Sequence, residues 1–304
     1  MVCGIISYDR LYRHGAMEHH LRKEQTMPTR FTILCENTVG HPFRVIGEHG
    51  FACYIETGRG RYLFDTGQGF GILQNAMALG ADLAAVDAVM LSHGHYDHVG
   101  GLPDVLRVRG PVDVHAHPEV FTSRYWSDGT TRRFIGIPHR REYLEALGAR
   151  FRFSAEMTEV GPGLHLSGEV PRRTDFERGD PHLIVCPAGA DQSEPDPIRD
   201  DLSLAVETDR GLVIVLGCAH SGMVNIIEHV LSRLGRDRLH AVIGGTHLGF
   251  ADDAQFEATI ATIDRYGIER IGVSHCTGQA NAARLHARLG DRFFFGCVGA
   301  VLEV

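Results

Sequence analysis

Six consecutive residues, His93-Gly94-His95-Tyr96-Asp97-His98, put four potential metal ligands into a single turn. Three imidazoles and a carboxylate at that density are hard to explain by packing. The apolar stretch Val86 to Leu91 precedes them and Val99-Gly100-Gly101-Leu102-Pro103 follows as a helix entry. The ligands therefore sit on a loop at the carboxyl end of a strand, where open α/β sheets place their chemistry. His93 and His95, alternating along an extended turn, face one ion, and Asp97 and His98 face a neighbouring position. That spacing predicts two metals. Divalent ions about 3.5 to 4 Å apart share a water, lower its pKa toward neutrality and aim the hydroxide at a carbonyl or phosphoryl centre. Asp97 would both ligate and orient that nucleophile, which makes it the candidate catalytic residue.

One loop cannot close two coordination spheres, so further ligands must come from elsewhere. Gly217-Cys218-Ala219-His220, Gly244-Gly245-Thr246-His247 and Ser274-His275-Cys276-Thr277-Gly278 each follow a predicted strand directly. Polar residues at strand ends, beside glycines that permit close backbone approach, gather at the same edge as the opening run. His220 and His275 are read as ligands, and His247 as a ligand or a substrate contact.

The elements that must position these residues alternate along the chain. Phe31 to Cys35 reads as a strand, and Ala52 to Glu56 with Arg61 to Phe64 as a hairpin around Thr57-Gly58-Arg59-Gly60. A helix over Phe70 to Leu79, the strand Val86 to Leu91, a helix near Leu102 to Val108 and a strand Val112 to His115 complete a first half. The second half repeats the theme with a hairpin, Leu202 to Glu207 and Leu212 to Leu216. Helices near Val224 to Leu234, Asp253 to Tyr266 and Ala280 to Leu289 follow, among short strands at Ala241 to Ile243, Ile268 to Val273, Phe293 to Phe295 and Ala300 to Val304. Two such halves imply two facing sheets with helices outside.

Between the halves, residues 118 to 197, the pattern weakens and Arg, Pro, Gly and aromatic residues accumulate. A long irregular segment in a compact domain is often a lid or binding loop. As a lid, it would offer Arg132, Arg133 and Arg140 to a phosphate or carboxylate and Trp126 as a stacking face. A solvated basic loop or an oligomer contact is the other reading of the same residues.

The 304 residues, 43% of them hydrophobic, suffice for one large core, and no linker-like tract divides them. Residues 27 to 304 are read as one domain and residues 1 to 26, rich in charged residues and without a clean period, as a loosely attached extension. A net charge of -8 argues against a broad nucleic-acid surface. Seven cysteines in no regular framework, no secretory signal and no apolar run of membrane length point to a protein of the reducing cytoplasm, not of a membrane, with a homodimer possible.

His93-x-His95-x-Asp97-His98, with Phe64-Asp65-Thr66-Gly67 before it, resembles the hallmark of the metallo-beta-lactamase superfamily, over most of residues 31 to 304. Glu36-Asn37-Thr38, the segment Gly217 to Gly222, Gly244 to Leu248 and Ser274 to Gly278 resemble more narrowly the branch of dihydropterin ribofuranosylaminobenzene phosphate synthases. The resemblance implies an α/β chain folded as an αββα sandwich of two mixed sheets, with a dinuclear metal site. It also brings Asn37 in as a substrate-binding candidate. The superfamily usually has a histidine ahead of the second strand pair and a bridging aspartate in a Gly-Asp context; here those places read Arg199-Asp200-Asp201-Leu202 and Gly217-Cys218. His220 can stand in for the histidine, and Cys218, Asp200 or water for the bridge. A thiolate bridge favours zinc over harder ions, with manganese or iron as alternatives.

These readings converge on a metal-dependent hydrolase of a small, anionic substrate: a phosphoester, a cyclic ester or a pterin-type phosphate. A pterin-related synthase using the metals as Lewis acids, a diiron oxidoreductase and a non-catalytic metal-dependent binding protein are the alternatives.

Overall fold

The computed structural model describes residues 28–40, 44–186 and 193–304. The extension expected over residues 1 to 26 lies outside them. Along the chain come β1 (Arg30–Cys35), β2 (Ala52–Thr57), β3 (Gly60–Phe64), α1 (Ile72–Leu79), β4 (Ala88–Met90), α2 (Tyr96–Val99), α3 (Leu102–Arg109) and β5 (Val112–Ala116). The middle of the chain supplies β6 (Arg124–Ser127), β7 (Arg132–Phe134), α4 (Arg141–Ala146), β8 (Ala149–Phe153), β9 (Thr158–Gly161), β10 (Leu164–Leu166), β11 (Leu183–Val185) and β12 (Glu194–Pro195). The last third holds β13 (Ser203–Thr208), β14 (Gly211–Leu216), α5 (Met223–Leu234), β15 (Ala241–Gly245), α6 (Asp253–Arg265), β16 (Arg270–Ser274), α7 (Gln279–Leu289), β17 (Phe293–Phe295) and β18 (Val301–Glu303).

Two seven-stranded sheets run β18-β1-β2-β3-β4-β5-β8 and β17-β16-β15-β14-β13-β10-β9. Strand alternation decides which side chains meet. In β2, Cys53 and Ile55 face the second sheet and pack with Val213 and Val215 of β14 in the layer between the sheets. Ala52 and Tyr54 point the other way, into a layer with Ile72 of α1 and Leu102, Val105 and Leu106 of α3. Leu212, Ile214 and Leu216 of β14 likewise turn outward, onto Ile226, Ile227 and Val230 of α5, Phe256 and Ile263 of α6 and Leu285 of α7. The layers are therefore helix, sheet, sheet, helix: an αββα sandwich.

In each sheet an antiparallel hairpin passes into parallel strands. β3, β4, β5 and β8 are parallel neighbours, as are β14, β15, β16 and β17. Parallel pairing needs crossovers, so the loops leaving β3, β4, β14, β15 and β16 all open on one edge of the sandwich. The expected candidate ligands are on those loops.

The segment 118 to 197 is not one irregular lid. β8 is the edge strand of the first sheet and β9 and β10 extend the second. What stands apart is a small four-stranded sheet, β12-β11-β6-β7, whose own cluster of Ile135, Leu183 and Ile198 packs with Tyr96 and Trp126. These strands are two to four residues long, so their pairing is held by neighbours and leaves no clear period in the sequence. No helix among the described residues is long and apolar enough to cross a membrane.

Candidate metal centre

The chain leaves β4 at Met90 and carries Ser92 and His93 into the edge, His95 precedes the single turn of α2, and Asp97 and His98 lie within that turn. Asp65, at the end of β3, is fully buried and organises the loop: Oδ1 accepts the Ser92 amide at 2.7 Å, and Oδ2 accepts the Ser92 hydroxyl at 2.6 Å. Having given its one hydrogen to Asp65, the Ser92 oxygen is an acceptor for His93 Nδ1, 2.9 Å away. His93 Nε2 is then left with a lone pair. It points at His95 Nδ1, 2.9 Å away, and His220 Nε2, 3.3 Å away. Gly217 lets the end of β14 come this close, because a Cβ there would lie 2.3 Å from Ser92 Oγ.

Burial, reinforced for His93 and His220 by the neighbouring imidazoles, holds all three rings below the ordinary imidazole value, His95 at about 3. They are neutral at pH 7, the form that ligates a metal. His95 Nε2 and His220 Nδ1 are buried with no hydrogen-bond partner among the described residues. The lone pair of His93 Nε2, converging with His95 Nδ1 and His220 Nε2, fits a divalent cation.

A second set stands beside the first. His98 donates from Nδ1 to Asp65 Oδ2 at 2.7 Å, so its Nε2 lone pair faces Cys218 Sγ, 3.2 Å away. Burial pulls the His98 ring down, but the Asp65 carboxylate outweighs it and holds His98 above its ordinary value. Asp97 Oδ2 lies 3.2 Å from His275 Nε2 and 3.1 Å from His49 Nε2. Burial pushes the Cys218 thiol well above its ordinary range. Its sulfur belongs to both sets: the ligand atoms of Cys218, His93 and His220 lie within 4.8 Å of one another, as do those of Cys218, His98 and His275.

The backbone at this edge is strained. Among the described residues, positive φ outside glycine occurs at Ile198 and at four strand-end positions of the site: Asp65, Ala219, His247 and His275. Such conformations cost of order 1–3 kcal/mol each and persist where the surroundings enforce them. At His275 the surroundings include Glu36, whose Oε1 accepts the His275 amide at 2.7 Å.

Asp200, an alternative bridging ligand from sequence, is engaged elsewhere. Its oxygens accept the Arg124 guanidinium at 2.9 and 2.6 Å and the Gly94 amide at 2.8 Å. Arg124 also donates to Asp196 at 2.8 Å, and the whole group is buried. This network clamps the backbone between His93 and His95. Its members are more than 70 residues apart from one another except for the Asp196–Asp200 pair and the Gly94–Arg124 pair, and a lone arginine such as Arg124 carries no signal of burial in the sequence.

Over both sets opens a cleft of about 450 Å³ lined by His95, Asp97, His220, His247 and His275, with Trp126 and Arg133 on the side of the small sheet. Register explains which arginine arrives. Trp126 pairs with Arg133 across β6 and β7, so the two share a face, and the Arg133 guanidinium stands 5.7 Å from the indole. Arg132 pairs with Ser127 on the opposite face and lies over Tyr125. Arg140 precedes α4 and lines a separate hollow with Pro118, Phe121 and Phe153. Neither Arg132 nor Arg140 reaches the cleft, and Asn37 lies beyond His275 and lines another cavity. His247 is 8% exposed and neither ring nitrogen has a partner among the described residues. Lining residues that were not expected include His49, from the loop before β2, and Cys276, whose sulfur accepts the His247 amide at 3.2 Å. For His49 the only sequence signal is Gly50 after it, which packs on the Asp97 carbonyl where a Cβ would come within 2.3 Å.

The sequence profile of the metallo-beta-lactamase superfamily matches residues 46–234. A 7,8-dihydropterin-6-methyl-4-(beta-D-ribofuranosyl)-aminobenzene-5'-phosphate synthase of Methanocaldococcus jannaschii is 30% identical over 259 residues, 81% of this chain and 86% of its own length. Ribonuclease Z of Mycobacterium bovis is 26% identical over 59% of each chain. The crystal structure of Tm1679, a metal-dependent hydrolase of the beta-lactamase superfamily, superposes with a TM-score of 0.77 at 28% identity, covering 91% of this chain and 99% of that one.

Proposed function

The chain belongs to the metallo-beta-lactamase superfamily, and from that premise we propose that it is a metal-dependent hydrolase with two divalent ions, acting on a small anionic substrate such as a phosphoester, cyclic ester or pterin-type phosphate. The observation that carries this reading is the position of Cys218 Sγ, within 4.8 Å of the ring nitrogens of His93 and His220 on one side and His98 and His275 on the other. One ion would be held by His93, His95 and His220, the other by Asp97, His98 and His275, with Cys218 in reach of both. A thiolate in the set favours zinc.

Bound there, the ions supply Lewis acidity toward the electrophilic oxygen and a water that is nucleophilic at neutral pH. The protein supplies the rest. Asp97, held by the His49 imidazole, orients the reacting groups. Arg133 offers a planar fork to the substrate's phosphate or carboxylate, and Trp126 a flat apolar face beside it. His247 brings two ring nitrogens that have no partner among the described residues. Phe250 and residues of the small sheet line the cleft.

The name of the Methanocaldococcus jannaschii relative supports a second reading, a bond-forming synthase on a pterin. Turnover of a panel of phosphoesters, lactones and pterin phosphates by zinc-loaded protein in ¹⁸O-water separates the two. The hydrolase reading expects the label in the product and loss of turnover in Asp97→Ala; product without label contradicts it.

A further inference from the structure

By distance alone His49 would join Asp97 and His275 as a metal ligand, since their ligand atoms lie within 4.8 Å of one another. The hydrogen bonds of Asn37 separate the two histidines. The Gly50 amide can only donate, and it points at Asn37 Oδ1 from 3.3 Å, which fixes the orientation of the side-chain amide. The same oxygen lies 2.9 Å from His275 Nδ1, so that nitrogen carries the proton and His275 Nε2 is a lone pair. This lone pair faces the anionic Asp97 Oδ2 at 3.2 Å. Two acceptors facing each other fit a cation between them.

The other end of the amide has the opposite effect. Asn37 Nδ2, which can only donate, lies 3.4 Å from His49 Nδ1. His49 therefore accepts at Nδ1 and carries its proton on Nε2, which meets the same Asp97 oxygen at 3.1 Å as a hydrogen-bond donor. The side chain of His49 is 55% exposed, against 2% for His275. The ring at the rim is the donor and the buried ring is the ligand.

We propose that Asn37 is a positioning residue whose amide sets opposite tautomers on two histidines, making His275 a metal ligand and His49 a proton-bearing partner that holds Asp97 in place. The proposal rests on the dinuclear reading above. It gives Asn37 a role other than binding substrate, and it leaves a fixed N–H of His49 at the wall of the cleft.

The test is ring-nitrogen NMR on the full chain, labelled with ¹⁵N-histidine and loaded with ¹¹³Cd. The expected result is one-bond cadmium coupling to His275 Nε2 and none to His49, whose Nε2 shows an attached proton and whose Nδ1 shows none. Asn37→Asp replaces the donor facing His49 with an acceptor; His49 Nδ1 then carries a proton, while His275 keeps its own. Cadmium coupling to His49, or a His49 Nδ1 that stays unprotonated in Asn37→Asp, overturns the proposal. If Asn37→Asp does not fold, the wild-type coupling pattern decides alone. Absence of cadmium coupling from His93, His98 and His275 alike would overturn the dinuclear reading itself, and the proposal with it.

Discussion

Gly94→Ala is the smallest change that reaches the centre without removing a ligand. A Cβ built on Gly94 would lie 1.8 Å from the Val120 carbonyl oxygen and 2.8 Å from both Val120 C and Arg124 Nη1. Ordinary contact begins at 3.4 Å, so the methyl group falls about 1.6 Å short of the room it needs. Neither wall is free to give way. Val120 is fully buried, with its amide on the His117 carbonyl, and Arg124 is pinned by Asp196 and Asp200. The backbone between His93 and His95 must move instead, and with it the Gly94 amide leaves Asp200. Metal–ligand distances tolerate only about 0.2 Å. We expect the first ion to bind roughly 10- to 100-fold more weakly, as when an outer-shell partner of a metal ligand is lost. The fold should lose about 1–3 kcal/mol from overpacking. Competition of the metal-free protein with a chromophoric zinc chelator reads the first value and urea unfolding the second. Two ions held at wild-type affinity by Gly94→Ala would refute the idea that Asp200, Arg124 and Gly94 form a rigid clamp.

Three further outcomes follow from the same geometry. Arg124→Met leaves Asp196 and Asp200 as buried carboxylates without their cation and should cost about 3–5 kcal/mol in urea unfolding; a loss under about 1 kcal/mol would mean that the group is solvated. Arg133→Ala should raise KM for an anionic substrate roughly tenfold or more, the scale of a charged hydrogen bond, whereas Arg132→Ala, on the opposite face of the hairpin, should leave KM unchanged. Equal effects of the two would reject the placement of the small sheet over the cleft. Without metal, stability should depend on pH through His93, His95 and His220. Their folded values lie below the ordinary 6.5, so below that pH the unfolded chain binds protons that the folded one refuses. Stability is then full above about pH 6.5 and falls on acidification by up to about 1.4 kcal/mol per pH unit for each ring. His98, raised by Asp65, contributes in the opposite sense and loses its contribution as the pH rises. Urea midpoints that stay flat or rise between pH 7 and 5 would contradict this.

What the sequence shows of this molecule is what is local in the chain. The run from His93 to His98 and the strand-end histidines His220, His247 and His275 are legible because each follows an apolar strand directly, and strand order carries them to one edge. The long strands and the helices α5, α6 and α7 are legible because their apolar period matches the face they bury. Less is legible where pairing is non-local. Whether Arg132 or Arg133 enters the cleft depends on the register of β6 against β7, which two adjacent arginines do not reveal. β8, β9 and β10 are short and interrupted by charge, yet they extend the main sheets because neighbouring strands supply their partners. Asp200 looks like a ligand beside Asp201, and only Arg124, far off in the sequence, shows that its oxygens are occupied. His49 sits on a loop, and Asn37, Asp97 and the ring of His275, all distant in sequence, give its ring an environment.

The central claim is a pair of ions held on either side of Cys218, and anomalous diffraction at the zinc edge on zinc-soaked crystals tests it most directly. Two peaks about 3.5 to 4 Å apart are expected, one against His93, His95 and His220, the other against Asp97, His98 and His275, with the Cys218 sulfur bonded to both. A single peak, or two peaks with the Cys218 sulfur bonded to neither, would contradict it.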